Sequence, residues 1–203
     1  MSPRYFVLQN ISYNAIEKYD IFNKNKTHSV SSTPNSYYNC LAYVLGAFAW
    51  LHPIGVLSES EKESNMGISN EMFVENMPAI LSALEIEDNN KIVSQNIYRA
   101  LIEHDYSNCY LMDYVSWRLL HCFKGIRRIQ NLYELKDDEY AIIYATCSND
   151  YHFVKYDNGV YTHKIGDGAV EEVEDDEQAF SPKYTSTRYY FAMKKNLVGI
   201  YQN

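Results

Sequence analysis

The chain has 203 residues, 46% of them hydrophobic, and a formal net charge of −8. That is enough apolar material for one domain core, and the acidic balance argues against a nucleic-acid partner, because phosphate binding leans on clustered Lys and Arg. No stretch reaches the length of a membrane span, and the four cysteines (Cys40, Cys109, Cys122 and Cys147) form no CxxC pair, so neither a zinc site nor a disulfide framework is expected.

Residues 1–35 read as an irregular polar arm with a short strand near 5–8. The start, Met1 to Leu8, lacks the basic region and long apolar core of a secretory signal. The expected compartment is therefore the cytosol as synthesised, with export by a route without a cleaved signal left open. Asn35, Ser36 or Asn39 can cap the next element. Leu41, Val44, Leu45 and Phe48 recur at helical spacing, so Cys40 to Trp50 is predicted as the most apolar helix, stopped at His52-Pro53. A polar loop follows at 58–68. A helix is predicted near 71–84, with Pro78 kinking the pattern or moving its start, and a third helix or a strand-helix pair near 91–104. Residues 106–123 are ambiguous: 110–112 suit a strand, and 114–123 read better as helix.

The last third changes period. Tyr140 to Thr146 is a strand by β-branched and aromatic content, and Tyr151 to Tyr156 is a second. Asp157-Asn158-Gly159 is a hairpin signal, because Asn-Gly tolerates positive φ. Val160 to Ile165 is a third strand, Val170 to Val173 a short fourth, and Arg188 to Lys194 a closing one. The acidic run Glu171 to Glu177 reads as a solvated loop. Helices first and an antiparallel meander last predict an α+β fold with the helix layer on one face of the sheet. The 20 tyrosines fit half-buried strands, or an aromatic groove for a ligand.

The chemistry centres on Cys40 and His152. A thiolate attacks far better than a thiol, and a helix start or a nearby imidazolium lowers a thiol's pKa. Cys40 is placed for the first effect, and the amides of that first turn can serve an oxyanion. A lone Cys in an apolar helix is more commonly a small buried hydrophobe. His152 strengthens the catalytic reading. It titrates near working pH as a general base should, and it meets Cys40 if the helix packs on the His152 face of the strand. A third group should orient the imidazole. With Asn158-Gly159 as the turn, Val154 falls opposite His163, which puts His163 diagonally beside His152 on the same face. Asp167 is the second candidate. Asn39 is a helix cap or an oxyanion donor. Cys147 is read as a buried spectator, with a rival nucleophile role as its alternative. His28, His52, His104 and His121 are read as structural or exposed, Cys109 and Cys122 as buried spectators, and Trp50 and Trp117 as core.

Asn39-Cys40-Leu41-Ala42-Tyr43, followed by Tyr151-His152-Phe153-Val154-Lys155-Tyr156-Asp157-Asn158-Gly159-Val160-Tyr161-Thr162-His163-Lys164, resembles the papain-like cysteine peptidase superfamily, nearest to its NlpC-type branch. The chain is also similar to a loose group of uncharacterised bacterial and phage proteins patterned "NCxAYALG … W…PG … DxHFYR…GxWSHKxG". Trp50, Pro53, Gly55, Asp150, His152-Phe153 and His163-Lys164-Ile165-Gly166 match that pattern. The resemblance implies a single papain-like domain over 1–203, with a helical insertion over about 56–135 that shapes the groove. It implies a thiol hydrolase or acyl transferase acting on an amide or isopeptide bond through a thioester. In it Cys40 would be nucleophile, His152 general base and His163 the orienting residue. The partner would be a peptide, a protein side chain or a cell-wall stem peptide, and no metal or organic cofactor is implied. The alternatives are a catalytically silent binding protein on the same scaffold, or a toxin or effector using the same thiol on a foreign protein.

Overall fold

The structure is a computed structural model, and it describes residues 5–7, 28, 30, 31, 33–48, 50–52, 112, 115, 116, 119, 120, 123, 125–148 and 150–195. The elements predicted at 58–68, 71–84 and 91–104, together with His104, Cys109, Trp117, His121 and Cys122, lie outside these residues.

The fold is α+β. Its main sheet has six strands: β3 (Ile126–Ile129), β4 (Glu139–Cys147), β5 (Asp150–Asp157), β6 (Val160–Lys164), β7 (Val170–Val173) and β8 (Tyr189–Lys194). Their order is β3-β8-β4-β5-β6-β7, and every pairing is antiparallel. A small parallel pair joins β1 (Tyr5–Val7) to β2 (Trp50–His52). Two helices are resolved end to end, α1 (Cys40–Leu45) and α2 (Asp176–Phe180).

The β5–β6 hairpin follows from its turn. Asn158 and Gly159 take φ of 52° and 88°, the left-handed pair a two-residue hairpin turn needs. Asp157 then pairs with Val160 and Val154 with His163, the register counted from the sequence. The closing strand β8 does not lie at an edge. It returns to sit between β3 and β4. That return crosses one face of the sheet, and α2 lies on the crossing segment. Asp175 caps α2 by accepting the amide of Gln178 at 2.8 Å. The acidic run read as a solvated loop thus overlaps β7, which is the expected strand Val170–Val173, and the first turn of α2, where carboxylates suit the positive end of the helix.

Helices cover both faces of the sheet, not one. β4 shows why its residues are almost continuously buried. Ala141, Ile143 and Ala145 face α2 and cluster with Val154, Phe180 and Tyr184. The alternate residues face α1: Tyr140 Oη donates to the carbonyl of Val44 at 2.7 Å, and Tyr43 Oη donates to Thr162 Oγ1 at 2.7 Å. Small alanines on one face accept the rings of Phe180 and Tyr184, and large aromatics on the other meet the short apolar helix.

Three further expectations are corrected. The helix begins at Cys40 but ends at Leu45 rather than at Trp50. Gly46, at φ 72°, allows the amides of Gly46 and Ala47 to return to the carbonyls of Tyr43 and Ala42, at 3.1 and 2.8 Å. That left-handed exit outweighs the apolar periodicity beyond it. Trp50 is accordingly in β2. Ile126–Ile129 is a strand of the main sheet although it falls inside the range predicted as a helical insertion, because it pairs with β8 and buries Ile126 and Ile129. Arg127 fixes it further by a bidentate pair to the buried Glu139, at 3.0 and 2.7 Å. Met112 is helical rather than extended, as are 115, 116, 119 and 120.

Gly46→Ala is expected to cost about 1–2 kcal/mol, since a side chain at this φ is strained. Urea unfolding would read this, and an unchanged midpoint would mean the helix has another way to stop.

Candidate active site

Asn39 builds the first half of the site. Its side-chain oxygen accepts the amides of Ala42 at 3.1 Å and Leu51 at 3.2 Å. Its Nδ2 donates to the Leu51 carbonyl at 2.6 Å and to Tyr151 Oη at 3.3 Å. One buried amide therefore caps α1 and straps β2 beside it. Both of its N–H bonds are engaged in that strap, so Asn39 is a cap and clamp rather than a donor left open for an oxyanion.

The helix does not pack on the His152 face, as the sequence reading required. Paired residues share a face, so His152 lies with Ala145, Val154 and Ile143 on the α2 side, while Phe153, Tyr144 and Thr162 face α1. Cys40 and His152 approach from opposite sides. They come to line one cavity where the β5–β6 ladder stops at Val154–His163 and the chain leaves through Ile165-Gly166. Beyond that point the backbone amides of Phe153 and Leu41 turn to the Cys40 sulfur. Cys40 and His152 then line one cavity of about 170 Å³, together with Trp50, Tyr151, Ile165 and Tyr184.

His152 is 1% exposed and held on three sides. Its Nε2 lies 3.0 Å from His163 Nδ1. The Tyr184 ring stacks on it at 5.2 Å, and Phe180 meets it edge-on at 5.8 Å. Tyr184 is itself tied down, its Oη donating to Asp150 Oδ2 at 2.9 Å, and Lys183 pairs with the same carboxylate. Among the described residues the imidazole's hydrogen bond runs to His163 and the thiol faces backbone amides. The pair shares a cavity without a direct bond.

The electrostatics differ from the sequence expectation. Burial pushes the Cys40 thiol up to about 12, and Asp150 adds to the rise. The amides of Phe153 and Leu41, and Lys164, pull the other way without prevailing. Burial likewise pushes His152 down to about 3, with His163 adding to the fall and Asp150 opposing it. Burial of both groups outweighs the helix start, so the resting pair is neutral thiol and neutral imidazole.

His163 lies where the hairpin count places it. Asp167 does not join it: its charge acts on Lys164, whose fully buried ammonium donates to the Gly166 carbonyl at 2.6 Å. Cys147 packs half-buried against the apolar cluster of the α2 face and does not line the cavity. His28 is structural: its Nε2 contacts the Ala47 carbonyl at 2.9 Å, and its ring stacks on Phe48 at 4.1 Å. His52 lies in β2.

Three residues escaped the sequence reading. Glu171 pairs with His163 across β6 and β7, its Oε2 3.9 Å from His163 Nε2. Val170 to Val173 is expected as a strand, so counting its register across the second hairpin reaches Glu171 from His163. Tyr184 and Lys183 come from the return crossing, which no local pattern announces.

Among the described residues no cluster of His, Cys, Asp and Glu is arranged to hold a metal, and no helix is long and apolar enough to cross a membrane. No protein-family model matches the chain, and no curated protein or solved structure matches it either.

Two outcomes follow from the neutral site. The ultraviolet thiolate absorbance lost on Cys40→Ala should be negligible between about pH 6 and 9; a step with a midpoint below neutrality would overturn the neutral resting pair. His152 at about 3 and His28 at about 4 lie below their unfolded values. The unfolded chain therefore binds more protons in this window. The histidine contribution to stability is whole above about pH 6.5 and shrinks as pH falls toward the folded values. Unfolding midpoints measured from about pH 7 to 4 should drop, and in His152→Gln the drop should be smaller.

Proposed function

We propose that the chain is a cysteine-nucleophile hydrolase or acyl transferase with a papain-like arrangement, acting on an amide or isopeptide bond of a peptide or protein. The observation that carries this reading is the buried His152–His163 hydrogen bond beside Cys40 in a common cavity. A histidine held by a second polar side chain and opening onto a thiol is the arrangement that nucleophilic catalysis needs.

The chemistry runs as follows. His152 Nδ1 takes the thiol proton as sulfur bonds to the carbonyl carbon, and the C=O electron pair moves to oxygen. The amides of Leu41 and Phe153, which act on the Cys40 sulfur, are the donors offered to that oxyanion. The intermediate collapses with loss of the amine, which takes its proton from His152. The thioester is then attacked by water, giving the acid, or by an amine, giving a new amide. In either case His152 accepts the attacking group's proton and returns it to the thiol. Because the resting pair is neutral, proton transfer belongs to the step in which substrate fills the cavity.

The cavity of about 170 Å³ holds the reacting amide and little more. A second hollow of about 570 Å³, lined by Ser181, Thr185, Ser186, Thr187 and Arg188, shares Tyr184 with it. A small site opening beside a larger polar hollow supports an extended peptide over a compact metabolite.

A catalytically silent scaffold is the second reading, favoured by the thiol's rise to about 12. A small thiol-directed electrophile separates the two. Labelling of Cys40 should be lost in Cys40→Ala and fall about 100-fold in His152→Ala. Labelling of Cys40 that is indifferent to His152, or no faster than that of Cys147, would sink the catalytic reading. Mass spectrometry of a peptidoglycan digest beside a protein-substrate panel then identifies the bond cleaved.

A further inference from the structure

Beyond His163 stands a carboxylate whose position has a consequence for the proton on each ring. Two neutral imidazoles share the 3.0 Å contact between His152 Nε2 and His163 Nδ1, and one proton lies in it. It belongs to His152 or to His163, and the two cases differ at both ends of the pair. If His152 Nε2 carries it, His152 Nδ1 is a bare lone pair, and His163 is protonated on Nε2. If His163 Nδ1 carries it, His152 is protonated on Nδ1 and cannot take a proton there, while the lone pair of His163 Nε2 points outward.

Glu171 Oε2 lies 3.9 Å from that outward nitrogen. This is ion-pair range and beyond a direct hydrogen bond, so the carboxylate acts through its field. A negative charge there attracts an N–H and repels a lone pair. The position is fixed by pairing: His163 and Glu171 are register partners on β6 and β7, so their side chains share a face. The His163 side chain is 5% exposed, which keeps the ring end of the interaction poorly screened although the Glu171 side chain is 64% exposed.

Resting on the catalytic reading above, we propose that Glu171 is a positioning residue that fixes the tautomers of His163 and His152, leaving His152 Nδ1 unprotonated toward Cys40. The other charged groups about His152 do not choose between the tautomers in this way. Asp150 also acts on the His152 ring through its charge, but it shares that charge with Tyr184 Oη and the Lys183 ammonium, which opposes it there. Glu171 is the carboxylate within ion-pair range of His163 among the described residues. The role needs no contact with substrate.

The test is nitrogen-15 NMR of histidine-labelled protein, which reads the tautomer of each ring directly, with Cys40 alkylation as a second readout. In the wild type both rings should carry the proton on Nε2. Glu171→Gln should mix the tautomers, and Glu171→Lys should favour the reverse pair. Alkylation of Cys40 at neutral pH should fall about tenfold in Glu171→Lys, with a smaller fall in Glu171→Gln. Because the side chain is largely exposed, urea midpoints should stay close to wild type, which separates tautomer control from loss of fold. Wild-type His163 protonated on Nδ1, or tautomers and alkylation unchanged in Glu171→Lys, would overturn the proposal. Failure of the catalytic reading looks different: Cys40 labelling that ignores His152→Ala, with the tautomers still responding to residue 171.

Discussion

The site depends on the place where two paired strands part. In the β5–β6 hairpin the ladder runs from the Asn158-Gly159 turn as far as Val154–His163 and goes no further. One more pair would join Phe153 to Lys164 and close the sheet over the gap. Instead the Lys164 ammonium bonds the Gly166 carbonyl, the Gly168 amide bonds the Ile165 carbonyl at 2.7 Å, and the chain bends away. A backbone amide that loses its strand partner inside a protein must find another. The amide of Phe153 is turned to the sulfur of Cys40. The split thus supplies the opening in which residues from the two faces of the sheet line one cavity, and an unpaired amide whose dipole favours the thiolate.

Covering both faces sets the electrostatics. A sheet open on one side would leave His152 wet and near its ordinary pKa. Here the return from β7 to β8 lays Phe180 and Tyr184 over the imidazole, while α1 closes the other side. Desolvation disfavours charge on either partner, so the thiol moves up and the imidazole down. The neutral pair is what burial of both groups requires. Backbone donors beside the sulfur matter under such conditions because fixed dipoles interact strongly where water is excluded.

How much of this is legible in the sequence divides by range. The hairpin was legible, because Asn-Gly fixes the turn and the turn fixes the register, which leads from His152 to His163. The start of α1 was legible through Asn39, whose short amide suits a cap. Its end was not. Apolar periodicity continues past Gly46, and a left-handed glycine exit competes with it in a way a hydrophobic pattern does not weigh. The face on which α1 packs was also beyond reach. β4 is buried on both sides, so its alternation names no outer face.

The same limit explains why the hairpin count led from His152 to His163 while the packing face of α1 was misjudged. The sequence reading required α1 to lie on the His152 face, since side chains on opposite faces of a continuous sheet cannot touch. The sheet is not continuous at that point. A strand that ends one pair early removes the barrier, and nothing in a residue count announces it. The sequence carries only the elements of the split: Gly166, which takes φ of 51°, a buried Lys164, and the close Gly168 turn. Read as punctuation these mark a loop. In the fold they end β6 at the one level where an open amide on β5 faces the start of α1. The constellation is therefore a property of where pairing stops, and substitutions that extended the β5–β6 ladder would separate Cys40 from His152 without altering either residue.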